Sequence, residues 1–152
     1  MIRLIVCICT LFVSVGCGIR QPIPQFKQAT ITQSTPEAVA FDVTFEISNT
    51  NSIPLQLLMY TYQVSAGGSN VYSGLSSAEK TVPRSSSILS TIPVVIPRSV
   101  LLGRDSFTWQ LRGTLGFIPP KAMSESLHDA GIWKPSTSVR AHGLIHVPEI
   151  TD

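Results

Sequence analysis

Residues 38–49, AVAFDVTFEISN, constrain the fold more than any other part of the chain. Apolar side chains occupy every second position of this segment, namely Val39, Phe41, Val43, Phe45 and Ile47. Strict alternation over this length predicts a β-strand with one buried and one solvated face. We expect Phe41, Val43 and Phe45 in the core, and Thr44 on the opposite face.

The rest of the chain is divided into further short strands. Eleven prolines and ten glycines interrupt the 152 residues, which favours strands and turns over long helices. Gly67-Gly68 predicts the tight turn of a hairpin within 53–77; we expect a bulge at Gly74 and a kink at Gly113. The other predicted strands are 26–34, 85–97, 105–118 and 136–150, with helical turns expected in 98–104 and around Met123–Leu127. These elements predict an all-β fold, a two-sheet antiparallel sandwich of the fibronectin type III or immunoglobulin-like kind, with about seven strands and one short helix over residues 26–150.

The N-terminus, MIRLIVCICTLFVSVGCG, has one basic residue followed by an apolar stretch from Leu4 to Val15. As a helix this stretch would span about 18 Å, which is short of the ~30 Å hydrocarbon core of a bilayer. It therefore predicts a signal peptide, residues 1–16, rather than a membrane-spanning anchor. One alternative is an ordinary cleaved signal peptide that is followed by an incidental cysteine.

The end of this segment, VSVGC, resembles the lipobox of bacterial lipoproteins, although Ser14 stands where leucine is commonest. The resemblance implies that Cys17 becomes the lipid-modified first residue of the mature protein, carrying palmitate-type chains that bind membrane lipid. Residues 17–25 would then be the lipidated cysteine and a tether. Gly18 replaces the aspartate that often retains lipoproteins on the inner membrane. The resemblance thus favours a cell-envelope location, on the outer membrane facing the periplasm in a two-membrane bacterium.

Two asparagines, Asn49 and Asn51, follow the alternating strand, and Pro54 precedes the next one. Asparagine tolerates left-handed backbone and caps nearby amides, and proline fixes φ where a strand begins. We therefore predict that Asn49, Asn51 and Pro54 form a structural turn between two strands. Any polar turn would fit the same residue types.

The stretch from Phe41 to Ile96 resembles the WHy domain (water stress and hypersensitive response) of the late embryogenesis abundant group 2 family. That family has an alternating strand, an Asn-Pro-Asn turn, a Tyr-bearing strand, a glycine turn and a later apolar strand. The matching features here are Asn49-Thr50-Asn51, Ile53-Pro54-Leu55, Tyr60, Tyr62, Gly67-Gly68, Gly74, Val82-Pro83 and Ile92–Ile96. Thr50 replaces the middle proline. The resemblance implies a sandwich without a catalytic site that protects client proteins or membranes under desiccation and other stress.

The residues that could carry chemistry favour no enzyme. His142 and His146 have the spacing of a helical zinc pair, but they fall on a predicted strand, where about 13 Å would separate them. Trp109 and Trp133 are expected in the core or at its rim, with a sugar platform as the alternative. We predict no catalytic residues, no metal and no cofactor.

Composition limits the partners further. The formal net charge is +2 and only 13% of residues are charged, which gives no electrostatic case for binding nucleic acid. We expect a non-catalytic, lipid-anchored envelope protein that contacts client or envelope proteins or lipid. The alternatives are a carrier of an apolar ligand between the sheets and an accessory subunit of an envelope assembly.

Overall fold

The computed structural model describes residues 19–119 and 122–147, with the backbone alone for 122–124. The signal peptide and Cys17 predicted from the sequence lie outside the described residues. In the described part no helix is both long and apolar enough to cross a membrane. The elements in chain order are β1 (Ile23–Ser34), β2 (Ala38–Asn49), β3 (Leu55–Ala66), β4 (Ser69–Ser77), β5 (Thr81–Val82), β6 (Ser86–Pro97), α1 (Arg98–Leu101), β7 (Ser106–Ile118), α2 (Ala122–Asp129) and β8 (Ser136–His146).

The strands form two antiparallel sheets. The small sheet has the order β1-β2-β6, and the large sheet has the order β4-β3-β7-β8, with β5 also paired to β3. The predicted all-β, two-sheet sandwich is confirmed. The described residues contain eight strands, one more than the sequence predicted, and two short helices, which lie where the two helical turns were expected although the predicted fold counted one helix.

The core lies between the sheets, and β2 supplies its centre. Every second residue of β2 is buried, and Phe41, Val43 and Phe45 are fully shielded from solvent. Trp109 of the large sheet packs against Phe41 and Phe26, with ring centroids 5.2 and 5.9 Å apart. The predicted core face is confirmed, and Trp109 is part of that core. Burial of each such side chain contributes about 1.5–3 kcal/mol relative to leaving it exposed.

The hairpin between β3 and β4 turns at Gly67 and Gly68, whose φ angles are +57° and +90°. Positive φ at both central residues is what a two-residue hairpin turn of type I′ requires. The predicted glycine turn is confirmed.

Other local predictions were wrong. β1 begins at Ile23, so residues 23–25 belong to the sheet and not to the tether. The irregularity in the β3–β4 ladder falls at Val64/Ser65 rather than at Gly74. β7 runs unbroken through Gly113, where a Cβ would lie 2.3 Å from the Thr61 carbonyl oxygen; this glycine allows close strand approach instead of a kink.

The alternation in β3 also changes phase. Leu55 and Leu57 are buried, and the buried series resumes at Tyr60, because the pairing with β7 shifts between Leu57 and Tyr60. The extra residue of this bulge turns Leu58 partly out of the core, although uninterrupted alternation would put it on the same face as Tyr60.

Candidate functional site

The side chain of Asn49 ties three chain segments together where β2 ends. Its Nδ2 donates to the carbonyl oxygens of Ile53 at 2.8 Å, Val82 at 3.2 Å and Pro83 at 3.1 Å. Its Oδ1 accepts from the backbone nitrogen of Asn51 at 2.9 Å and from Asn51 Nδ2 at 2.8 Å. Asn49 is only 2% exposed, so these bonds are shielded from water.

Asn51 extends this network to the start of the described chain. Its Oδ1 accepts from the backbone nitrogen of Arg20 and its Nδ2 donates to the Arg20 carbonyl oxygen, both at 2.8 Å. Its own carbonyl oxygen accepts from the backbone nitrogen of Ser85 at 3.0 Å. Pro54 directly precedes β3 and takes no part in the side-chain hydrogen bonds of the two asparagines. We call Asn49 and Asn51 with their partners the asparagine junction.

On β3, β7 and β8 the outer face of the large sheet carries polar side chains over three central rows, whereas the exposed Leu75 of β4 lies beside Thr61 at the edge of the first row. The rows run across β3, β7 and β8 in register, so that residues of one row lie side by side. We call this surface the polar face; its residues are Thr61, Thr114 and Ser138 in the first row, Gln63, Arg112 and Arg140 in the second, and Ser65, Gln110 and His142 in the third.

Two arginines are direct neighbours in the middle row. Arg112 of β7 pairs with Arg140 of β8, and both are exposed. Among the described residues, neither guanidinium has an ion pair or a side-chain hydrogen bond. On the small sheet, by contrast, Lys27 Nζ lies 2.6 Å from Glu46 Oε2. The polar face therefore presents two uncompensated, adjacent cations.

Shallow hollows flank Arg112 on both sides. One of about 220 Å³ is lined by Gln63, Val64, Ser65, Asn70, Gln110 and Arg112. Another of about 320 Å³ is lined by Thr61, Tyr62, Gln63, Arg112, Gly113 and Thr114. They offer amide, hydroxyl and guanidinium groups at an open surface, an arrangement suited to polar contacts with a partner rather than to enclosing a small molecule.

The histidines and tryptophans considered as candidate site residues differ in their exposure to solvent. His142 and His146 are both exposed on β8, and the described residues contain no cluster of three or more potential ligands from His, Cys, Asp and Glu. Trp109 is 3% exposed, so its ring cannot serve as a sugar platform. Trp133 is 43% exposed in the loop after α2.

The space between the sheets is filled by side chains from both inner faces. Tyr60 is fully shielded and Tyr62 is 2% exposed, and the Tyr62 hydroxyl donates to the Pro93 carbonyl oxygen at 2.8 Å. Burial, with a smaller effect of neighbouring Tyr72, raises the pKa of Tyr62 to about 12. Burial also raises the pKa of Tyr60, an effect partly offset by Ser90. This packing provides no support for a carrier with a ligand between the sheets.

Sequence reasoning missed the polar face. The two arginines are 28 positions apart in the chain, and their meeting depends on the pairing register of β7 and β8. The available signal was the strand phase, because each arginine directly follows an apolar residue of the inner face, Leu111 before Arg112 and Val139 before Arg140. That phase places both on an outer face but does not place them side by side.

Comparison with known proteins identifies the fold. No family model and no curated protein sequence matches the chain. Among solved structures, an Arabidopsis thaliana protein is similar over 93% of this chain and 92% of its own, with a TM-score of 0.67 and 17% identity. A candidate late embryogenesis abundant (LEA) protein is similar over 87% of this chain and 74% of its own, with a TM-score of 0.66 and 17% identity. An Archaeoglobus fulgidus protein is similar over 83% of this chain and all of its own, with a TM-score of 0.55 and 10% identity. The chain therefore has an LEA/WHy-like fold.

Proposed function

We propose that this chain is a non-catalytic protective protein, anchored to the cell envelope through acylated Cys17, whose sandwich contacts other proteins under desiccation or related stress. The likeness of its fold to a candidate LEA protein supports the protective role. The lipobox-like VSVGC supports the anchor, and Gly18 supports the outer membrane facing the periplasm. The proposal assigns no cofactor and no catalytic residue.

The observation that supports contact with other proteins is the Arg112–Arg140 pair of the polar face. Like charges directly opposite in adjacent strands are destabilising, and such cross-strand effects amount to about 0.2–1 kcal/mol. The free protein therefore gains no stability from having the two arginines side by side. Binding to a partner that offers carboxylates would be favourable, because a guanidinium binds a carboxylate with two parallel hydrogen bonds.

The surroundings of the pair suit transient contact with many partners. Thr, Ser and Gln side chains supply hydrogen-bond donors and acceptors around the arginines, and the three rows on β3, β7 and β8 contain no apolar side chain. When water becomes scarce, such a face can replace hydrogen bonds and counterions that a client surface loses. We infer that acidic client proteins are the class it serves.

A drying assay tests the protective role. A desiccation-sensitive acidic enzyme is dried and rehydrated with this protein present, and its remaining activity is measured. We expect the wild type to preserve activity and the double variant Arg112→Gln/Arg140→Gln to preserve clearly less. Arg104→Gln, which removes an exposed arginine near the start of β7, is the matched control and should behave as the wild type. Equal protection by all three would refute the role of the polar face, and no protection by any would refute the proposed function.

The anchor is tested separately. Mass spectrometry of the membrane fraction should find an acylated N-terminus at Cys17, and Cys17→Ser should leave the protein unprocessed. A mature N-terminus that lacks acyl groups would contradict the lipoprotein proposal without affecting the drying result.

A further inference from the structure

One end of the sandwich gathers the start of the described chain and several loops. Ile23 at the start of β1 pairs with Ser48 near the end of β2, and the asparagine junction joins that strand end to the start of β3. Gln56 near the start of β3 pairs with Ile118, where β7 ends. The loop that contains α2 therefore leaves from the same end. We call it the entry end.

The loop after α2 holds two apolar side chains in solvent at the entry end. Ile132 is 74% exposed and Trp133 is 43% exposed. The loop is nevertheless fixed, because the backbone nitrogens of both residues donate to the Leu127 carbonyl oxygen at 2.9 and 3.1 Å. The Phe117 nitrogen also donates to the Pro135 carbonyl oxygen at 3.2 Å, which ties the loop to the end of β7.

The same end bears a third exposed apolar residue, Ile23, which is 54% exposed at the first position of β1. β1 and β8 are neighbours along one flank of the sandwich, and both strands begin at the entry end. Ile23 and the loop before β8 thus lie on one flank. Ile23, Ile132 and Trp133 therefore give this flank of the entry end an apolar contribution to any surface that it meets.

The short connection to Cys17 limits what this surface can meet. Both backbone polar groups of Arg20 are held by Asn51, at 2.8 Å each. Only three residue steps separate Cys17 from Arg20, so an extended connection reaches about 10 Å. An acyl chain on Cys17 would therefore hold the entry end within about 10 Å of the lipid headgroups.

We propose that the protein stands on its membrane with the entry end down, and that Ile132 and Trp133 insert into the lipid–water interface. This orientation rests on the proposed anchor at Cys17. Tryptophan suits the interface because its ring is apolar while its indole N–H can bind water or headgroups. Arg20, Arg84 and Lys134 are exposed at this end, as are Glu125 and Asp129, so charges of both signs are present and the apolar pair provides the insertion.

The experiment imposes the anchor chemically. From residue 17 onward the chain contains a single cysteine, Cys17, whose thiol can be coupled to a maleimide-bearing phospholipid in vesicles. Part of the lipid carries bromine on its acyl chains, which quenches nearby tryptophans. Trp109 is buried in the core and provides a constant background. We expect Trp133 emission to shift to shorter wavelength and to be strongly quenched, and Trp133→Phe to remove that quenched component.

A matched variant moves the reporter to the opposite end. Leu144 is 54% exposed and pairs with Thr108, near the end of the sandwich opposite to the entry end. Trp133→Phe/Leu144→Trp should therefore show emission that brominated lipid does not quench and aqueous iodide does. Quenching of Trp133 by iodide and not by bromine would overturn the orientation. Because the coupling bypasses cellular acylation, this result is independent of the mass-spectrometric test of the anchor.

Discussion

Among the substitutions considered for the asparagine junction, a near-isosteric exchange at Asn49 should lower the free energy of unfolding most. Asn49→Asp keeps the shape of the side chain but replaces the Nδ2 donor by an oxygen. That oxygen would face the carbonyl oxygens of Ile53, Val82 and Pro83, which now accept from Nδ2 at 2.8, 3.2 and 3.1 Å. At neutral pH the substitution would place a nearly buried negative charge against three acceptors.

The expected cost follows from the geometry. An uncompensated buried charge typically lowers the free energy of unfolding by about 3–5 kcal/mol. Each carbonyl oxygen that loses its donor lowers it further, since leaving a buried polar group unsatisfied costs up to ~1–3 kcal/mol. Asn49→Ala should cost less, about 2–4 kcal/mol, since it removes the hydrogen bonds without adding charge. Asn51→Ala, at the partly exposed side of the junction, should cost roughly 1 kcal/mol.

The loss for Asn49→Asp should depend on pH. The folded state would raise the pKa of the new carboxyl above its unfolded value of about 3.9, because burial and the facing carbonyls disfavour the charged form. Below about pH 4 both states bind the proton and this part of the destabilisation vanishes. As pH rises toward the folded pKa the unfolded state loses its proton first, so the destabilisation grows and then levels off.

Urea unfolding of wild type, Asn49→Asp and Asn49→Ala from pH 4 to pH 8 provides the measurement. The difference between Asn49→Asp and wild type should increase with pH, whereas that between Asn49→Ala and wild type should stay flat. A pH-independent loss below about 1 kcal/mol for Asn49→Asp would refute the assignment of Nδ2 as the donor that joins the three segments.

Three further predictions concern stability. Phe45→Ala should cost about 3–5 kcal/mol in urea unfolding, while Thr44→Ala on the opposite face of β2 should cost little; equal small losses would contradict the core assignment. Because the pKa of Tyr62 is raised to about 12, this residue contributes stability that is present below pH 10 and lost as pH rises toward 12. The free energy of unfolding of Tyr62→Phe should therefore fall less steeply than that of the wild type over this pH range. An unchanged pH profile would count against the raised pKa. Thr50→Pro, which introduces the middle proline of the Asn-Pro-Asn turn, should be neutral or stabilising by about 0.4–1 kcal/mol, and a clear loss of stability would show that this turn differs from that motif.

The sequence predicted the elements whose own pattern determines them. Strict alternation in β2 defined a buried face because side chains of a strand point alternately to its two sides, and Gly67-Gly68 defined a turn because few other residue pairs adopt positive φ. The two-sheet sandwich then followed from many short amphipathic strands that must bury one face each.

The features that depend on pairing were not predictable from one strand alone. The bulge that shifts Leu58 partly out of the core arises from the β3–β7 register, and nothing within IPLQLLMY marks it. Gly113 fits a close approach to Thr61 that only the paired strand imposes. The Arg112–Arg140 pair is of the same kind, since the two residues meet only through the register of β7 and β8.

The proposed orientation also decides which partner the polar face can reach. Arg112 lies six residues before Ile118, the end of β7 at the entry end, which places it about 20 Å along the strand from that end. Charges exposed to physiological salt are screened over about 8 Å. With the entry end on the membrane, Arg112 and Arg140 would thus lie beyond the electrostatic reach of headgroups in their own bilayer. Their face would be turned sideways into the aqueous space, where a soluble acidic protein can approach it. If the vesicle experiment instead found the large sheet lying flat on the membrane, the same arginines would meet lipid phosphates, and the drying assay should then show protection of vesicles rather than of the acidic enzyme.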